Sequence, residues 1–161
     1  MFVDLKNKLM KIGYNKEVIE CLVEVYEECK EQCRLLVEPL AYLSYYEQIA
    51  SIWHYFIDNV NYQLDPGDNQ YLKTPGRLLY DGVGDCKSYS LFFASCLYCL
   101  GIPFVFRFVS FVPSKEFQHV YVVACPETNH QIILDAVEKD SYGQPVYNYA
   151  RDFIYKKDIA G

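Results

Sequence analysis

The segment from Cys86 to Leu100 constrains this chain most. It is apolar nearly all round, and the turn Gly82-Val83-Gly84-Asp85 leads into it. A helix with no polar face is buried on every side, so the rest of the chain has to wrap it. Gly101 suits its end, because glycine enters the left-handed conformation that closes a helix at little steric cost. The longest strongly apolar run, Leu91 to Phe106, is broken by Gly101 and Pro103 and is too short to span a bilayer.

What can wrap such a helix follows from the flanking patterns. Residues 4–12 read as a short helix ending near Gly13. Asn15 is placed to cap a second helix running to about Leu36, with Val18, Ile19, Leu22, Val25, Tyr26, Cys29 and Cys33 at helical spacing. Pro39 suits the first turn of a third helix. That helix carries Ile49, Trp53, Phe56 and Val60 and ends near Tyr62. Turn chemistry follows at 64–69 and 74–76. After Pro103 the texture changes to short runs rich in aromatic and β-branched residues, Phe104 to Val112, Phe117 to Ala124 and Gln131 to Val137. Turn-forming segments separate them, which predicts an antiparallel meander. Helices first and strands later define an α+β chain, with the central helix packed on the sheet. Beyond Ser141 the sequence supports no assignment. With 161 residues the chain has the size of one domain and buries a core without staples. We divide it into a helical extension, 1–40, packed on a compact unit, 41–161.

Charge and cysteine usage narrow the partners. The formal charge is -6, and with no basic stripe, phosphate-driven nucleic-acid binding is not expected. Seven cysteines, an odd number, and no visible secretory signal point to a reduced, cytoplasmic setting without disulfides. Cys96 and Cys99 form a CxxC near the C-terminal end of the central helix, the wrong end for a redox pair. We read them as small buried hydrophobes. No histidine–cysteine spacing matches a metal site, so no metal and no cofactor are expected.

Cys86 is different, because it opens the central helix. There the helix dipole and unpaired backbone N–H groups stabilise a thiolate, and the same N–H groups can hold an oxyanion. A thiol nucleophile needs a base, and the base needs an orienting group. His119 lies in the second strand and Asp135 in the third, an acid among Ile132, Ile133, Leu134 and Val137. If those strands form a hairpin about the turn 125–130, opposite residues sum to about 255, and His119 and Asp135 become cross-strand neighbours. His54, beside Trp53, and His130, in a turn, read as structural or solvated.

These residues carry a family resemblance. Gly82-Val83-Gly84-Asp85-Cys86, the apolar helix, Gly101-Ile102-Pro103, Gln118-His119-Val120-Tyr121-Val122 and Leu134-Asp135 together resemble the core of transglutaminase-like proteins. So do Ile52 to Tyr62, Asp65-Pro66 and Leu72-Lys73-Thr74-Pro75 upstream. The resemblance spans roughly residues 45–140. It implies a papain-like α+β fold and a Cys-His-Asp triad at Cys86, His119 and Asp135 working through a thioester. It makes 41–161 a catalytic domain and a protein or peptide the substrate. Lys87 and Ser88 stand where many bacterial members have acidic residues. A second oxyanion donor is not identified, with Gln63 and Tyr71 as candidates and Trp53 read as core. The leading expectation is a cysteine hydrolase of an amide or peptide bond. The alternatives are acyl transfer to an amine and a non-catalytic interaction protein that keeps the fold.

Overall fold

The computed structural model describes residues 9–12, 16–64, 70–113, 116–149 and 152–161. The predicted central helix is present from Cys86 to Leu100, here the fifth helix, α5. From Lys87 to Leu97 every one of its residues is buried. Asp85 caps its N-terminus by accepting from the backbone N–H groups of Lys87 and Ser88 at 3.1 and 3.4 Å. Gly101 closes the other end at φ 72°, in the left-handed region.

Four helices and a sheet supply the wrapping. Ahead of α5 come α1 (Lys16–Cys29), α2 (Arg34–Val37), a single 3₁₀ turn at Glu38–Leu40, α3 (Tyr45–Asn59) and α4 (Pro75–Asp81). Two small pairs of strands join them. Strand β1 (Leu9–Ile12) runs antiparallel to β3 (Gln70–Lys73), and β2 (Asn61–Tyr62) runs parallel to β4 (Val83–Gly84). On the far side lies an antiparallel sheet of β5 (Phe104–Ser110), β6 (His119–Ala124), β7 (Ile132–Leu134) and β8 (Tyr155–Ala160), in the order β7-β6-β5-β8. Alternation along the strands gives the sheet two apolar faces. Phe104, Phe106, Phe108, Val120 and Val122 join the main core around α5, while Val109, Tyr121 and Val123 form a second cluster behind it. In the main core the Trp53 ring stacks on Phe93 at 5.8 Å, and Phe56 packs on the same ring at 4.7 Å. Among the described residues no helix is long and apolar enough to cross a membrane.

The α+β class and the meander β5-β6-β7 are as expected; several boundaries differ. Residues 9–12, expected within a short helix, form β1. A segment this short cannot sustain helix alone, and pairing with β3 satisfies its backbone instead. The second helix does not reach Leu36 unbroken; it stops at Cys29. The cause is Ser95 of α5, whose hydroxyl donates to the Lys30 carbonyl at 2.8 Å and accepts from the Cys33 N–H at 3.2 Å. These bonds replace helical ones and turn the chain. Pro39 belongs to the 3₁₀ turn rather than to the third helix. That helix starts after Ser44, where a capping box with Glu47 satisfies its first N–H groups. In the unassigned tail, β8 pairs with the exposed side of β5, and Arg107 locks the pair through two bonds to Asp158, 2.9 and 3.0 Å. The proposed caps at Gly13 and Asn15 and the turn at 65–69 lie outside the described residues.

Candidate active site

The site begins with the N-terminus of α5. Parallel pairing of β2 with β4 brings the chain to Cys86 in extended form, and Gln63 N–H bonds Gly84 O at 2.8 Å. Gly84 must be small, because a Cβ there would run into the Leu78 side chain. Cys86 is the first residue of the helix, so its N–H is among those with no intrahelical acceptor. Its side chain is half-buried. The Lys87 ammonium sits on the Asp85 carboxylate, and both residues are buried. That pairing spends most of the cation's charge beside the cap rather than on the thiol.

His119 opens β6, and its Nε2 meets Asp135 Oδ2 at 2.6 Å, with both side chains almost fully buried. Cys86 lines the same cleft as His119, and its thiol is among the groups that act on the ring. Because Asp135 occupies Nε2, the nitrogen left for Cys86 is Nδ1. Burial alone would push the imidazole pKa down. The interactions with Asp135 and Cys86 outweigh burial and hold it up at about 9. That favours the protonated ring at neutral pH. Phe111 stacks on it at 6.3 Å and Tyr121 packs at 5.7 Å, which fixes its plane.

The structure brings Cys86, His119 and Asp135 together, in a register within one residue of the expected one that makes His119 and Asp135 near-direct rather than direct neighbours. In β6–β7 the partners are Val122↔Leu134 and Ala124↔Ile132. Continuing that register sets Asp135 opposite Tyr121, so His119 is its diagonal neighbour, one step further along the same side of β6. The carboxylate spans the diagonal because β7 ends at Leu134 and Asp135 turns out of the strand. Its Oδ1 accepts from Val137 N–H at 3.3 Å, which leaves Oδ2 for the histidine.

The other candidates separate cleanly. Trp53 is core, as read, at 1% exposure. His54 is exposed, and His130 is exposed with its Nδ1 on the Tyr46 hydroxyl at 2.9 Å. Burial pushes the Cys96 thiol up, and Cys99 to about 11. All seven cysteines are free thiols. Gln63 runs beside the strand that leads into Cys86, and Tyr71 lies on β3. Among the described residues no cluster of three or more His, Cys, Asp or Glu side chains is placed to hold a metal.

One residue escaped the sequence reading. The Ser90 hydroxyl lies 2.8 Å from Cys86 O and 3.3 Å from Val120 O, so it ties the first turn of α5 to the strand that carries His119. The signal was present: a polar residue inside an all-apolar helix needs a partner.

A helix-borne thiol set against a histidine–aspartate pair on an antiparallel sheet defines the class of papain-like α+β proteins. Residues 36–142 match the model of the transglutaminase-like superfamily, two thirds of the chain. The chain belongs to the transglutaminase-like superfamily. Solved structures agree on the fold. Calcium-bound LapG of Legionella pneumophila is 20% identical, with 74% of this chain and 73% of that chain covered and a TM-score of 0.51. EGTA-treated LapG is 21% identical, covering 86% and 84%, again at a TM-score of 0.51. Curated protein sequences returned no significant match.

Proposed function

We propose that this protein is a cysteine hydrolase that cleaves an amide or peptide bond through a thioester on Cys86. The observation that carries the reading is the His119–Asp135 bond of 2.6 Å in the cleft that Cys86 also lines. Superfamily membership and the fold shared with LapG support it.

The chemistry follows from the protonation of the ring. The step uses a thiolate–imidazolium pair, in which the protonated ring is the proton donor to the leaving amine. Cys86 Sγ attacks the carbonyl carbon and an S–C bond forms. The carbonyl oxygen gains the negative charge, and the Cys86 N–H is its first donor. His119 gives its Nδ1 proton to the amine nitrogen, the C–N bond breaks and the amine leaves. Neutral His119 then takes a proton from water, and the resulting hydroxide attacks the thioester. Collapse breaks the C–S bond and restores the thiolate with its imidazolium. Asp135 holds the ring through Nε2 in both halves. If an amine replaced water in the second half, the product would be a new amide.

The test is iodoacetamide labelling, mapped cysteine by cysteine, in wild type and His119→Ala. Cys86 should label fastest of the seven at neutral pH and lose that lead in the variant. Labelling of Cys86 no faster than the other six in both proteins would overturn the reading.

A further inference from the structure

The cleft that holds Cys86 and His119 has a volume of about 620 Å³, within the usual range for ligand sites. Its lining is of two kinds. Cys86, Lys87, Glu116, Gln118 and His119 are polar, with the Lys87 ammonium paired to Asp85. Val18 and Ile19 of α1, with Phe108, Phe117 and Val120, make up its apolar wall. This wall is well supported. Phe108 is buried at 2% exposure, and the Phe117 ring packs on it at 6.2 Å. Ile19 is buried in the main core and Val18 packs against it.

Two of its five residues come from α1, which lies outside the residues matched by the superfamily model, 36–142. The N-terminal helix therefore does more than cover the core; it shapes the space next to the nucleophile. An apolar wall stabilises an apolar side chain that leaves water and penalises a carboxylate or ammonium left there without a partner. Glu116 and Gln118, on either side of Phe117, also line the cleft, with the Gln118 amide held by Ser110, Phe111 and Glu116.

We propose that this wall is a substrate subsite for an apolar side chain of leucine or phenylalanine size. The side chain belongs to a peptide residue on the acyl side of the amide that Cys86 attacks. The acyl half is the part that stays bound through the thioester stage, so a subsite there acts in both half-reactions. The proposal rests on the reading of Cys86 as nucleophile and adds the substrate class to it.

Capped dipeptide chloromethyl ketones test it without a known substrate. The thiolate displaces chloride, forming a C–S bond, and the rate reports how well the reagent sits. One residue of each reagent is glycine; the other is Leu, Phe, Asp or Lys. The Leu and Phe reagents should alkylate Cys86 at least about tenfold faster than the Asp and Lys reagents, as burial of one such side chain implies. In Val18→Asp and, separately, Phe117→Asp, that ratio should fall toward one. A wild-type ratio near one, or a preference for Asp or Lys, overturns the proposal. So does an octanoyl chloromethyl ketone that outpaces the peptides, which would make the wall a site for acyl chains. Iodoacetamide is too small to sense the wall. Fast Cys86 labelling by iodoacetamide with a flat peptide ratio refutes the subsite alone, whereas slow labelling refutes the nucleophile and the subsite together.

Discussion

At His119 two partners outweigh the cost of burial and raise the pKa, which favours the protonated ring at neutral pH. The consequence for activity is direct. Asp135→Asn keeps the size of the side chain but removes the charge that holds the ring protonated and oriented. Hydrolysis should fall by about 10²-fold or more, with Cys86 labelling slowed in parallel. Turnover and labelling that both stay within a factor of two of wild type would show that Asp135 has no orienting role. The pH dependence of stability has a definite sign. The unfolded imidazole titrates near 6.5, and in the folded protein its pKa is raised to about 9. Its contribution is therefore fully present below about 6.5 and is lost as pH rises through about 9. Chemical denaturation at pH 6 and pH 9.5 should show wild type losing more stability across that interval than His119→Gln. Equal losses would show that the imidazolium adds nothing to folding.

At the scale of elements, what matters is how helix and strand ends aim side chains. Asp85 both caps α5 and neutralises the buried Lys87 ammonium. Asp85→Ala removes both functions at once and should cost about 3 kcal/mol, because an uncompensated charge remains at a buried position. Asp85→Asn can still accept the capping bonds and should cost measurably less. A calorimetric Tm that falls equally for the two would assign the whole effect to the ion pair. The end of β7 works by a related device. Asp135 leaves the strand in a turn closed by its own Oδ1, and that exit lets Oδ2 reach diagonally to His119. Ser95 is the negative counterpart, a side chain that ends α1 by taking over its backbone partners at Lys30 and Cys33.

For the whole molecule, the core is strongly aromatic, and the Tyr26 hydroxyl is one of the buried polar atoms it holds at a loss. Tyr26 meets Phe104 and Phe106 edge-on at 5.6 and 5.4 Å, at 2% exposure. Its hydroxyl has no hydrogen-bond partner among the described residues, and burial pushes its pKa up. Tyr26→Phe should therefore leave stability unchanged or raise it by about 1 kcal/mol in urea unfolding. A clear loss would reveal a partner for the hydroxyl. Much of the molecule was legible beforehand, for local reasons. The boundaries of α5 follow from Asp85 and Gly101, the strands β5 to β7 from their aromatic and β-branched runs between turns, and Cys86 from its place at a helix start. Each is written in residues adjacent along the chain. What was misread is non-local. Strand β1 depends on β3, and the break after Cys29 depends on a serine more than sixty residues away. The tail becomes a strand only because β5 has an open edge and Arg107 a partner in Asp158. Spacing alone set His119 near Asp135, but the register that makes them diagonal neighbours belongs to the turn between their strands. The sequence by itself determined the buried central helix, the strand-rich second half and the thiol at the helix start, since propensity, capping and apolar pattern act over a few residues. Only the tertiary structure decided that the imidazole has partners that raise its pKa, that Ser90 ties helix to strand, and that α1 lines the cleft. Those depend on burial and on distances between segments remote in the chain.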